Sequence, residues 1–161
     1  MYPIQEVSTE SGMNSLVNLN KRVIQCTKCS LRESATAPVP GIGKVGAKYF
    51  IIGESPGEQE DKQGIPFIGL AGKRLNELLA LAGIDQNDCY ITNICRCRPP
   101  ENRQPRKTEI RTCQPFLMEE IALIKPQYII TLGAIPLSLF STLGIKQLHG
   151  TMQEIEIEEQ E

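Results

Sequence analysis

The sequence predicts an α/β fold, a three-layer sandwich on a short central parallel sheet. Short apolar runs, Tyr49–Ile52, Cys89–Ile94 and Tyr128–Leu132, recur at wide intervals. Between them lie longer stretches whose apolar residues repeat at helical spacing. Glycines and prolines punctuate the junctions. Strands that alternate with helices pair in parallel, with helices on both faces of the sheet.

Taken in order, Leu16, Leu19, Val23 and Ile24 predict a first helix from about Asn14 to Cys26. Ala37 to Gly46, rich in Pro and Gly, reads as loop. Tyr49–Ile52 is the first core strand. Gly72-Lys73-Arg74 opens a helix with Leu75, Leu78, Leu79 and Ala82 on one face, and Gly83 suits its C′ position. Cys89–Ile94 is the second strand, and Pro99 to Pro105 is an irregular loop. Thr108 caps a short helix; Pro115, at a new N1 position, opens a second that ends before Pro126. Tyr128–Leu132 is the third strand, closed by Gly133. Ala134 to Leu143 forms the last helix, and Gln153–Ile157 alternates as an edge strand does. A single domain spans 1–161, with an acidic C-terminal segment over 151–161.

Charged residues at 22% and hydrophobic residues at 40% suit a globular chain of 161 residues. No apolar run approaches the ~20 residues of a membrane span. Met1 to Glu6 has neither the basic start nor the apolar stretch of a signal peptide, so the protein reads as cytoplasmic. The net charge of −2 hides an asymmetry: five glutamates in 151–161 leave +3 on the first 150 residues. Arg96, Arg98, Arg103, Arg106, Lys107 and Arg111 crowd into sixteen positions against Glu101 and Glu109. Such a cluster, following directly on a strand, is a candidate for phosphate contact.

Six cysteines without a secretion signal argue against a disulfide framework. Cys89 and Cys95 flank the second strand and read as small buried apolar residues. Cys26, Cys29, Cys97 and Cys113 remain as metal-ligand candidates. Their spacing alone leaves zinc and an iron–sulfur cluster evenly placed.

Gly53-Glu54-Ser55-Pro56-Gly57-Glu58-Gln59-Glu60-Asp61 follows the first strand at its carboxyl end, where parallel sheets place functional loops. This stretch resembles the first motif of the iron–sulfur (family 4) uracil-DNA glycosylases. Asp61 to Gly69 followed by Ala71-Gly72 is similar to the family's next segment, which carries a base-stacking Phe. Tyr90-Ile91-Thr92-Asn93-Ile94 and Cys97 to Arg103 resemble its uracil-recognition strand and the loop after it. Cys26-x2-Cys29 matches the first half of its cluster site. The family's last motif, a His-Pro-Ser followed by a Leu-Leu-Arg-like loop, does not occur in this sequence.

The resemblance implies a uracil-DNA-glycosylase-like sandwich whose fourth strand is missing or incomplete. It implies excision of uracil from single- or double-stranded DNA by a monomer, weakened where the last motif would act. It also settles the metal choice in favour of a [4Fe–4S] cluster on Cys26, Cys29, Cys97 and Cys113. Asn93 would read uracil, because a fixed amide offers a donor to O4 and an acceptor to N3–H, a pattern cytosine reverses. Phe67 would stack on the flipped base. Glu60 would position the attacking water, with Glu54 shaping the loop. Gly53, Ser55 and Gly57 would line the substrate site through backbone, and Arg98, Arg103, Arg106 and Lys107 would hold DNA phosphates. Glu58 reads as solvated, and His149 as a surface residue rather than a catalytic one. Two competing readings are a catalytically silent cluster protein that binds uracil or DNA, and a zinc-stabilised interaction domain.

Overall fold

A computed structural model describes residues 9–157. Strands β1 (Tyr49–Gly53), β2 (Cys89–Asn93) and β3 (Tyr128–Thr131) form one parallel sheet in the order β2–β1–β3. Side chains alternate between its faces. Phe50 and Ile52 of β1 join Tyr90 and Ile129 in one core. That core is covered by α1 (Thr9–Ile24) and α5 (Lys107–Ile124) through Leu16, Leu19, Val23, Leu117, Ile121 and Ile124. Ile51, Cys89 and Ile91 face the other core, under Leu75 and Leu79 of α4 (Leu70–Leu81). The chain therefore has the α/β sandwich that its strand–helix alternation predicts.

The strand order decides where a site can open. From β1 the chain crosses by α4 to β2, then returns by α5 over β1 to β3. Crossovers of one hand that run in opposite directions must lie on opposite faces. At the carboxyl ends of β1 and β2 the chain therefore departs toward opposite faces, and a crevice opens between them. The two strands end level, with Gly53 and Asn93 in register.

Several boundaries differ from the pattern reading. Helix α1 begins at Thr9 rather than Asn14 and ends at Ile24, because its polar first turn carries no apolar period. Two short helices were not anticipated, α2 (Leu31–Ser34) and α3 (Glu58–Gln63); α3 has no apolar stripe, and buries instead the carboxylates Glu60 and Asp61. Helix α4 begins at Leu70, two residues before Gly72, and Gly83 follows it with φ 67. Ile94 and Leu132 fall just outside β2 and β3, although their N–H groups still bond the carbonyls of Gly53 and Ile52.

The segment 107–124 is one helix, not two. Pro115 sits in its interior, and Thr108 does not cap it. The Glu109 carboxylate instead accepts from the Arg106 backbone N–H at 2.6 Å. A proline inside a helix removes one backbone bond and costs ~3 kcal/mol. Here Phe116, Leu117, Ile121 and Ile124 form a buried stripe that outweighs it. At the other end, the expected helix to Leu143 shrinks to α6 (Ala134–Leu137), with a separate turn α7 (Ile145–Leu148). The Ser138 hydroxyl donates to the Ile135 carbonyl and the Leu143 N–H to Ser141 Oγ, the local competition by which serines end helices. Gln153–Ile157 alternates but pairs with no strand, so the sheet has three strands among the described residues.

Candidate active site

The crevice at the ends of β1 and β2 measures about 370 Å³ and is lined by Ser55, Gly57, Glu60, Phe67, Gly69 and Asn93. It thus gathers the first-motif loop, the aromatic and the amide that the sequence singled out. Asn93 is 4% exposed. Its side-chain amide lines the crevice and makes no hydrogen bond among the described residues, so its donor and its acceptor can both meet a ligand there.

Phe67 holds a left-handed backbone, φ 55, which bulky residues rarely adopt. Such strain persists only where surroundings enforce it, and it concentrates at functional sites. Two glycines make the enforcement possible. A Cβ on Gly72 would lie 1.7 Å from the Phe67 carbonyl, and one on Gly53 would lie 2.4 Å from both the Phe67 ring and Asn93 Oδ1. The ring therefore packs directly over β1, beside the amide.

Glu60 anchors the same loop. Its Oε1 accepts from the backbone N–H groups of Ile68 and Gly69, at 3.1 and 2.8 Å. Its Oε2 lies on the Gly57 side, 2.8 Å from where a Cβ on that residue would stand. Its neighbour Asp61 is bound from the other side by the Thr36 N–H and hydroxyl, at 2.9 and 2.7 Å. Glu54 is half-buried and outside the crevice lining; burial raises its carboxyl above the usual range. Glu58 is exposed as expected, and its hydrogen bond to Lys62 keeps its carboxyl low.

Cys26, Cys29, Cys97 and Cys113 line a second, small cavity together with Lys28, Arg32 and Phe116. All six thiols are free. No three His, Cys, Asp or Glu side chains among the described residues converge on a point where one metal ion could sit. Burial pushes the Cys97 thiol up to about 12. Cys89 is a buried core residue, as its place in the strand suggests. Cys95 is more than filler: it packs in the core beside Cys113, and the interaction of the two thiols raises Cys95 and lowers Cys113. The Arg96 backbone N–H also reaches the Cys113 sulfur, at 3.3 Å.

The basic segment divides into three kinds of residue. Arg96 is 1% exposed and forks onto Glu120 of α5, which also accepts from the Tyr90 hydroxyl at 2.8 Å. It is a core cation and leaves the phosphate-binding cluster. Arg103 forks onto the buried Glu109, at 2.9 and 2.8 Å, and this pairing first of all holds the Glu109 carboxyl down to about 2. Arg98 bonds Asn102 and lies 4.0 Å from Glu58. Arg106, Lys107 and Arg111 are exposed without an ion partner among the described residues. His149 is exposed, as the sequence suggests. The Tyr90–Glu120–Arg96 network and the Thr36–Asp61 pair escaped sequence reasoning because no local pattern links residues so far apart.

Residues 40–158 match the model of the uracil DNA glycosylase superfamily. The chain is 44% identical over 122 residues to the type-4 uracil-DNA glycosylase of Sulfurisphaera tokodaii, covering 75% of this chain and 56% of that protein. It is 37% identical over 150 residues to the type-4 uracil-DNA glycosylase of Archaeoglobus fulgidus, covering 89% and 75% of the two. With that of Thermotoga maritima it shares 45% identity over 122 residues, covering 76% and 64%. The chain thus spans between about half and three quarters of the lengths of these curated relatives.

Proposed function

The chain belongs to the uracil-DNA glycosylase superfamily, and from that premise we propose that it hydrolyses the N-glycosidic bond of deoxyuridine in DNA, the opening step of base excision repair. The observation that carries the proposal is the buried, unspent amide of Asn93 beside the strained Phe67 in a crevice of nucleobase scale. A base flipped from the stack would lie against the Phe67 ring, with its Watson–Crick edge on the amide. Asn93 Nδ2 would donate to uracil O4 and Oδ1 would accept from N3–H. Cytosine would set donor against donor there, leaving buried groups unpaired.

Bond cleavage places positive charge on the sugar and negative charge on the departing base. Glu60 supports the first: one oxygen is engaged by the Phe67 loop, and the other remains to orient a water toward the sugar. Glu54 stabilises the loop behind it. The backbone of Ser55 and Gly57 would form the wall against which the base is held, while Gly53 lies beneath the Phe67 ring and the Asn93 amide, outside the crevice lining. The test is release of free uracil from single-stranded and duplex oligonucleotides by the purified protein. Uracil release with an abasic product is expected; no release from either substrate overturns the proposal and favours the silent binding protein.

We infer further that Cys26, Cys29, Cys97 and Cys113 hold a [4Fe–4S] cluster. In support, the four thiols surround one cavity without converging on a single-ion site, and Lys28 and Arg32 beside it offset the negative charge of a four-thiolate cluster. Its contribution would be structural, tying the end of α1 to the loop that carries Arg98 and Arg103. The purified protein is expected to contain about four irons per chain and to absorb broadly in the visible. Stoichiometric zinc without colour would sink this assignment.

DNA phosphates would be met by Arg98, Arg106 and Lys107, with Arg103 holding their loop to Glu109 as well as facing DNA. Replacing Arg106 and Lys107 by Ala is expected to weaken binding to any DNA, and to flatten its log–log salt dependence by about one unit per lost contact. A salt slope that stays put would make this face merely solvated. On the same reading the protein acts as a monomer, in the cytoplasm; among the described residues no helix is long and apolar enough to cross a membrane.

A further inference from the structure

We propose that Asp61, through its hydrogen bonds to Thr36, is the positioning residue that fixes Glu60 relative to Asn93; this rests on the glycosylase reading above. Helix α3 has six residues, and the side chains it buries are those of Glu60 and Asp61. A helix so short has little stability of its own, and no apolar face seats this one on the core. Its placement is therefore set by what the two carboxylates bond. Successive helical residues point about 100° apart around the axis, so the two reach different parts of the chain.

Glu60 bonds forward, to the Ile68 and Gly69 N–H groups of the Phe67 loop. Asp61 bonds backward: the Thr36 N–H donates to one of its oxygens at 2.9 Å and the Thr36 hydroxyl to the other at 2.7 Å. Hydrogen bonds to an ionised carboxylate are the stronger kind. Thr36 stands in a segment anchored on both sides, with Leu31, Ala35 and Val39 buried. The Val39 N–H donates to the Arg96 carbonyl at 2.7 Å. Arg96 lies just past Asn93, in a turn whose Ile94 and Cys95 N–H groups bond the carbonyls of Gly53 and Glu54 at 2.9 and 3.0 Å. A bonded path thus runs from the strand that reads the base through Arg96, Val39, Thr36 and Asp61 to Glu60. It sets the distance between the base pocket and the carboxylate that orients water toward the sugar. A misplacement of about 1 Å at such a point can cost on the order of 10²-fold in rate. Capture of the base by Asn93 and Phe67 does not run along this path.

Thr36 is exposed, so Thr36→Val removes the hydroxyl with little change of volume, and Thr36→Ser keeps both bonds. In single turnovers on single-stranded DNA, Thr36→Val is expected to lower uracil release about tenfold. Affinity for the same strand carrying non-cleavable 2′-fluorodeoxyuridine should change less than about twofold, since the loss falls on the chemical step. Thr36→Ser should keep the unsubstituted rate. A substitution that acts through Glu60 has nothing left to disturb once that carboxylate is gone, so Thr36→Val should not slow Glu60→Ala further. An unmoved rate, a matching loss of affinity, or equal slowing in both backgrounds overturns the proposal. A second measurement needs no cleavage. The Ile68 and Gly69 amides, which bond Glu60, should exchange hydrogen with solvent about tenfold faster in Thr36→Val, while those of β1 stay as they are. Unchanged exchange at those two amides also overturns it. If the unsubstituted protein releases uracil from neither single-stranded nor duplex DNA, the glycosylase reading fails by itself, and amide exchange alone decides whether Asp61 holds Glu60.

Discussion

Glu120→Ala is expected to destabilise the protein by ~3–5 kcal/mol, the usual cost of stranding one partner of a buried ion pair. Arg96 is among the largest fully buried side chains, and its guanidinium forks onto the Glu120 carboxylate. Tyr90 spends its hydroxyl on the same carboxylate, and burial raises that phenol above its ordinary range, so it remains a donor. Removing Glu120 leaves a charge and a hydroxyl in the core with no partner. For a chain of this length ~1 kcal/mol moves Tm by ~2–4 °C, so a fall on the order of 10 °C follows. Denaturant unfolding measures it, and a loss under ~1 kcal/mol would show that the network carries little. The triple variant Arg96→Met, Glu120→Leu and Tyr90→Phe should recover most of the stability, because apolar groups of similar volume remove the desolvation cost along with the whole network.

The second large effect is chemical. Asn93→Asp changes almost no volume but replaces a donor by an acceptor opposite uracil O4. It also places negative charge where the departing base becomes an anion. A single misplaced group at such a point is typically worth ~3–4 kcal/mol, so uracil excision should fall 10²–10³-fold in single turnovers. Affinity for undamaged DNA should change little, since the amide is 4% exposed within the crevice and a stacked, paired base would not reach it. Excision within threefold of the unsubstituted protein would remove Asn93 from the site.

Both effects involve residues of β2 and the turn after it, Asn93 in one case and Tyr90 with Arg96 against Glu120 of α5 in the other, yet they differ in how far the sequence revealed them. Asn93 was legible as a crevice residue only through the motif around it, because by itself an amide at the carboxyl end of a strand more often caps the strand or binds its own backbone. Arg96 was misleading. Its neighbours in the chain are Cys95, Cys97 and a run of cations, and nothing local marks it as buried. Only α5, twenty-four residues on, brings the carboxylate that makes burial tolerable.

Arg103 shows the same limit in milder form: it lies in the predicted basic loop, but Glu109 claims its fork. Phe67 shows the opposite case. The motif pointed to it as a base platform, while its left-handed backbone and the glycines beneath it became legible only with neighbours in place.

What the sequence by itself determined was the class of fold, the parallel sense of the sheet, the loops that form the crevice and the four cysteines that share a cavity. These follow from periodicity, punctuation and motif order, which are properties of neighbours along the chain. The tertiary structure decided the rest: α5 running through Pro115, α3 built on buried acids, α6 cut short, the last alternating segment left unpaired and Arg96 drawn into the core. Helix α6 was ended by its own serines and the last segment found no partner among the described residues, whereas at Pro115 and Arg96 local preference was overruled by partners distant in sequence. The free energy of burying that contact exceeds what a helix breaker or an exposed charge can set against it, and it exists only once the chain has folded.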